Sequence, residues 1–159
     1  MKLRIALLIL LAALVLAAPA AAAPPAPVGE RICLMPYCGG TESQTFPQGQ
    51  PFYIAHGWID RPGNYPMGLW DFELEVDGQP RPEDFVQRSV DTAARPPNMT
   101  LSWVHNFPEG MTGTHAFTGT WLATCQFLVD QGRIPGPCAN PNEIMPYTVK
   151  TIYVTFVQP

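Results

Sequence analysis

The chain has 159 residues, 47% of them hydrophobic, with nine basic and thirteen acidic side chains and a formal charge of −4. That length fits one domain with a sizeable core. The acidic balance excludes binders of nucleic acid and of anionic membrane surfaces, which need a basic footprint.

Met1-Lys2-Leu3-Arg4 opens the chain as a short basic end, followed by an apolar run from Ile5 to Leu16 and an alanine-rich zone to Ala23. This three-part layout predicts a secretory signal over residues 1–23. The apolar run is shorter than the about 20 residues of a comfortable membrane span. The mature chain is therefore expected to be secreted, with no membrane span. The first cysteine, Cys33, lies well beyond the cleavage zone, which argues against a lipid anchor. Loss of Lys2 and Arg4 would take the formal charge from −4 to −6 and leave Lys150 as the sole lysine. Residues 24–30, Pro-Pro-Ala-Pro-Val-Gly-Glu, read as an extended linker before a single domain over 31–159.

Proline then sets the architecture. Eighteen of the nineteen prolines lie from Pro24 onward and cut the chain into pieces too short for long helices. Those pieces carry the two-residue alternation of half-buried strands. Arg31–Met35 is a first candidate. Phe52, Ile54, His56 and Trp58 share one face of a second. Trp70, Phe72, Leu74 and Val76 share a face of the third, with Asp71, Glu73, Glu75 and Asp77 on its reverse and an Asp77-Gly78 turn at its end. Residues 81–91 mix a helix-start signal, Pro82-Glu83-Asp84, with strand chemistry, and a short edge element is expected there. Leu101, Trp103, His105 and Phe107 align in another strand. His115, Phe117, Trp121 and Ala123 align in the next, with Thr114, Thr118, Thr120 and Thr124 opposite. Tyr147–Val157 closes the domain. About seven strands separated by turns predict an all-β fold, an antiparallel β-sandwich.

Four cysteines in an exported chain read as two disulfides, with three possible pairings. Local pairing is favoured: Cys33 with Cys38, and Cys125 with Cys138 across a Gly- and Pro-rich loop. The spacings do not suit a zinc ribbon.

Gly113-Thr114-His115-Ala116-Phe117-Thr118-Gly119-Thr120-Trp121, preceded by Phe107-Pro108-Glu109-Gly110, resembles the E–F corner and F strand of immunoglobulin-like domains. His56-Gly57-Trp58 followed by Leu74-Glu75-Val76-Asp77-Gly78 is similar to bacterial extracellular domains of that class. The resemblance covers about residues 45–159. It implies an immunoglobulin-like sandwich in which His115 takes the position of the corner tyrosine and Phe117 that of the core cysteine. The family's inter-sheet disulfide is absent.

Candidate sites follow from the residue types. His105 and His115 would both lie near the E–F corner and form a possible metal pair, while His56 belongs toward the other end; the plainer alternative is three partly buried, hydrogen-bonded histidines. Blue copper is excluded, because no histidine follows Cys125 or Cys138. The acidic row Asp71, Glu73, Glu75, Asp77 would suit calcium or a basic partner, but alternate strand side chains stand about 7 Å apart, too far to share one ion. A solvated face is the simpler reading. No nucleophile elbow, H-E-x-x-H or phosphate loop occurs. Asp60, Glu109 and Asp130 are available to a small hydrolase and nothing more. Two loops, 59–68 and 126–137, would gather at one end of a sandwich and present Trp58, Tyr65 and Phe127. The resulting expectation is a secreted, non-catalytic structural or binding module with no cofactor and an extracellular protein or surface ligand as partner. A metal-binding protein using His105 and His115 is the alternative, and a small secreted hydrolase the third.

Overall fold

The computed structural model describes residues 23–34, 41–60, 71–93 and 98–159, with residues 58–60, 91 and 98–99 described by backbone alone. The expected signal up to residue 22, Cys38, Tyr65 and Trp70 lie outside the described residues.

Among the described residues, nine strands and one short helix follow in order: β1 (Glu30–Ile32), β2 (Ser43–Pro47), β3 (Phe52–Asp60), β4 (Asp71–Val76), β5 (Gln79–Arg81), β6 (Phe85–Asp91), β7 (Asn98–Phe107), β8 (Gly113–Thr124), α1 (Cys125–Asp130) and β9 (Ile144–Val157). One sheet has the order β1-β3-β7-β6, the other β2-β9-β8-β4-β5. The all-β expectation holds. The purely antiparallel one is corrected: β1 runs parallel to β3 and β2 parallel to β9, so both sheets are mixed. β1 lies at the edge of one sheet and β2, the next described strand, at the edge of the other, each beside a strand that runs the same way.

Alternation decides which side chains meet. Phe52 and Ile54 from β3 and Leu101 and Trp103 from β7 face Phe72, Leu74, Phe117, Trp121, Ile152, Val154 and Phe156 of the other sheet, all buried in one cluster. Aromatic contacts bridge the two layers: Phe52 to Phe156 at 5.2 Å, Trp103 to Trp121 at 5.4 Å and Phe107 to Phe117 at 5.8 Å between ring centres. Gly119 is required by this packing, since a Cβ there would stand 2.9 Å from the Phe72 ring and 3.2 Å from Leu34 Cδ1. On the reverse of β8, hydroxyls pair across to β9, Thr118 with Thr151 at 2.9 Å and Thr114 with Thr155 at 3.0 Å.

The edge element expected at 81–91 is β6, at the rim of its sheet. Alternation missed β2 and β5, because Ser43–Pro47 buries only Phe46 and Gln79–Arg81 buries nothing. It also missed α1. The Thr124 side chain accepts the Phe127 N–H at 3.3 Å as an N-cap, and Phe127 and Leu128 enter the core. A Cys125–Cys138 disulfide ties the helix start to the following loop. Cys33 is also disulfide-bonded; its expected partner Cys38 lies outside the described residues. The last residues of the expected linker are held against the domain. Val28 donates its N–H to Asn106 Oδ1 at 3.0 Å, and Glu30 donates to the Pro51 carbonyl at 3.3 Å.

Candidate functional site

A concavity lies at the β4–β5 edge. The two strands form a tight hairpin around Asp77-Gly78, both at positive φ (52° and 75°), the geometry of a two-residue primed turn. β5 pairs only with the second half of β4: Val76 with Gln79, Glu75 with Pro80 and Leu74 with Arg81. The chain then crosses to the other sheet through Pro82 and Glu83. Asp84 anchors the crossing by donating its N–H to the Val104 carbonyl at 2.8 Å. Arg81 fixes the start, with its guanidinium 3.3 Å from Asp84, 2.9 Å from the Asn106 carbonyl and over the Phe107 ring.

Between β4 and this crossing lies a cleft of about 330 Å³, lined by Asp71 to Glu75 and by Pro80 to Glu83. Phe72 and Leu74 belong to the core, 3% and 2% exposed, and form its apolar floor. Asp71, Glu73, Glu75 and Glu83 are exposed and make its rim acidic. Three of these are the row read as a solvated face, and they are indeed exposed. Asp77, the fourth, turns away to pair with His115.

The histidines do not gather. His105 is fully buried, and its ring meets Phe72 edge-on at 5.8 Å. Neither ring nitrogen has a hydrogen-bond partner. The Pro82 carbonyl favours the charged ring without reaching hydrogen-bond geometry, and burial outweighs it, so the ring's pKa is lowered. His115 is half-buried at the other end of β4. Its Nδ1 lies 2.6 Å from Asp77 Oδ2 and its Nε2 2.8 Å from the Thr112 carbonyl. Two acceptors require both nitrogens to donate, which is the imidazolium form. Burial works against that charge, but the bonds to Asp77 and Thr112 prevail and raise the pKa. Phe72 and Asp77, the anchors of the two rings, are five residues or roughly 16 Å apart along the strand. His105 and His115 are not brought together as a metal pair. Among the described residues, no three His, Cys, Asp or Glu side chains group to hold a metal ion. His56 stacks on Phe72 at 4.7 Å and meets Trp121 edge-on at 4.1 Å, and burial, helped by the Arg31 charge, lowers its pKa to about 3.

The loop contacts are corrected in part. Phe127 is not a loop residue open to a ligand: it sits on α1, 5% exposed, edge-on to Tyr147 at 5.8 Å. The apolar side of a capped helix turns it into the core. Tyr65 and the Trp58 side chain lie outside the described residues.

No motif marks the cleft. The available signal is the spacing Asp77-Gly78 to Pro82, which allows only a three-residue return strand beside a six-residue β4, so that β5 pairs only half of it. Among the described residues, no helix is long and apolar enough to cross a membrane. Comparison with protein-family models, curated proteins and solved structures gives no match for this chain.

Proposed function

We propose that this chain is a secreted, non-catalytic recognition module with an immunoglobulin-like fold, and that it takes an extracellular partner in the cleft beside β4. The sheet orders support the fold: β1-β3-β7-β6 and β2-β9-β8-β4-β5 correspond to strands A-B-E-D and A′-G-F-C-C′ of that architecture. His115 supports it too, bonding from the start of the F-equivalent strand back to the Thr112 carbonyl, as the corner tyrosine does in the family. The parallel β1–β3 pair departs from the usual first strand.

The observation that carries the binding reading is the cleft's composition. An apolar floor of Phe72 and Leu74 lies beneath a rim of four carboxylates, the layout of a site that desolvates a ligand's apolar part and orients its charge. A mixed set of peptides and small ligands, titrated against isotope-labelled protein, tests it. Amide shifts should cluster at Phe72, Leu74 and Arg81–Glu83. Shifts confined to the Thr114–Thr120 face or to the 160 Å³ crevice at Arg31 and Tyr53 would overturn the assignment, as would turnover of a chromogenic ester or glycoside.

A further inference from the structure

The cleft continues into a strand position that no described strand occupies. β8 pairs with all six residues of β4, from Asp71 opposite Leu122 to Val76 opposite Phe117. On the other side β5 stops at Leu74, and no described strand continues alongside Asp71–Glu73. Asp77 donates its N–H to the Ala116 carbonyl at 2.8 Å, so by the two-residue period Glu75, Glu73 and Asp71 bond toward β8. The backbone N–H and C=O of Phe72 therefore point into the gap. There the N–H is held by the carboxylate of its own neighbour, Asp71 Oδ1 at 2.8 Å, in place of a strand.

The opposite sheet has a matching exposure. Val86, Arg88 and Val90 on β6 stand opposite Trp103, Leu101 and Met99, so they share the face that β7 turns toward the core. Val86 and Val90 are nevertheless 44% and 54% exposed. Val86 pairs with Trp103, Trp103 touches Trp121, and Trp121 pairs with Phe72, so the exposed valine and the open edge lie at one level of the sandwich. One more strand beside the first half of β4 would use the backbone edge that no described strand pairs and cover the valines together.

We propose that this slot receives an extended peptide strand from a partner protein, apolar on the side facing Val86 and Val90 and basic on the side flanking Asp71, Glu73 and Glu75. The proposal rests on the cleft being the binding site. Main-chain bonds to a free strand edge supply affinity, and alternate side chains supply selection. The charge of the rim selects Lys and Arg, and excludes a second copy of this chain as the donor. From Arg31 onward its basic residues are never closer than seven positions apart, so it has no strand that alternates basic and apolar residues.

The test uses the full chain and the probe acetyl-Lys-Val-Lys-Val-Lys-Val-amide. Amide shifts are expected at Phe72, Glu73, Val86 and Val90, with affinity falling about tenfold between about 50 and about 500 mM NaCl. The exposed double variant Asp71→Asn with Glu73→Gln, which adds no bulk to the edge, should weaken binding about tenfold. N-methylating the probe at alternate residues along one edge should abolish binding, and along the other edge should spare it. Equal loss or equal retention on both edges overturns strand addition. A Glu-Val probe that shifts Phe72 and Glu83 when the Lys-Val probe does not would keep the cleft and overturn the basic partner. Shifts elsewhere for every probe overturn both.

Discussion

The three histidines show how one residue type takes opposite charge states in one small domain. His115, clamped between a carboxylate and a carbonyl, favours the cation; His56, set against Phe72 and Trp121, and His105, buried beside Phe72, favour the neutral ring. Their linkage to stability has opposite signs. The raised His115 stabilises the fold below its unfolded pKa of about 6.5, and that contribution fades as pH rises through its folded value. Asp77, lowered first by its bond to His115 and then by the Ala116 N–H, stabilises above about 4 and loses this as pH falls. The pair is partly exposed, so together it contributes at most about 1 kcal/mol. His56 works the other way and more strongly. Its folded pKa of about 3 means that the unfolded chain gains a proton first as pH falls below about 6.5. By pH 4.5 that difference costs about 2–3 kcal/mol. Replacing His56→Phe, which keeps a ring against Phe72 and Trp121, should therefore flatten the acid limb of a stability–pH curve measured by urea unfolding. An unchanged acid limb would mean that His56 does not carry the acid sensitivity. His105, with two buried unpartnered nitrogens, adds to the same limb.

At the scale of elements, what a strand's own pattern encodes is what the sequence made legible. β4, β7 and β8 bury alternate apolar residues, and their faces and the Asp77-Gly78 turn are readable directly. β2 and β5 are not, because each is held mainly by main-chain pairing to a stronger neighbour, and pairing leaves no mark on side-chain type. The histidines were legible as core-facing positions, but their partners were not, since Asp77 reaches His115 across 38 positions of chain. The cleft was hidden for a related reason: it is made by where β5 ends. α1 is the element most dependent on its surroundings. Six residues are too few to hold a helix alone, so the Thr124 cap, the burial of Phe127 and Leu128, and the Cys125–Cys138 bridge sustain it together. Changing Cys125→Ser with Cys138→Ser reopens a loop whose closure stabilises by about 3 kcal/mol. The expected result is a matching loss in unfolding free energy, with amide exchange accelerating at Phe127–Asp130 well before it does in β8. Uniform acceleration across both sheets would show instead that the bridge supports the whole core.

For the whole molecule, the two sheets close on a continuous aromatic core, and the described cysteines are all bonded, with none free. Oxidised cysteines join the leader-like start of the chain in one expectation, because disulfides persist where thiols are not kept reduced. The basic Met1–Arg4 end, the apolar run to Leu16 and the alanine zone predict export with removal of the leader. Nothing in the domain's own charge opposes that: the folded part keeps a single lysine and an acidic excess that favours solubility. The position of the cut also matters to the fold. Val28 and Glu30 are tied to Asn106 and Pro51, and Gly29 at φ +74° lies so close to Pro51 that no Cβ fits. A cut before residue 24 leaves these ties intact, whereas one past Gly29 would strip the entry to β1 and uncover the edge of β3. Intact-mass measurement of the exported protein should therefore show cleavage between about Ala18 and Ala23 and a mass short of the reduced chain by four thiol hydrogens. Peptide mapping should recover Cys125 linked to Cys138 and Cys33 linked to Cys38. A full-length chain with free thiols would overturn export, and a Cys33–Cys125 link would overturn the local pairing, including the Cys125–Cys138 bridge that sustains α1.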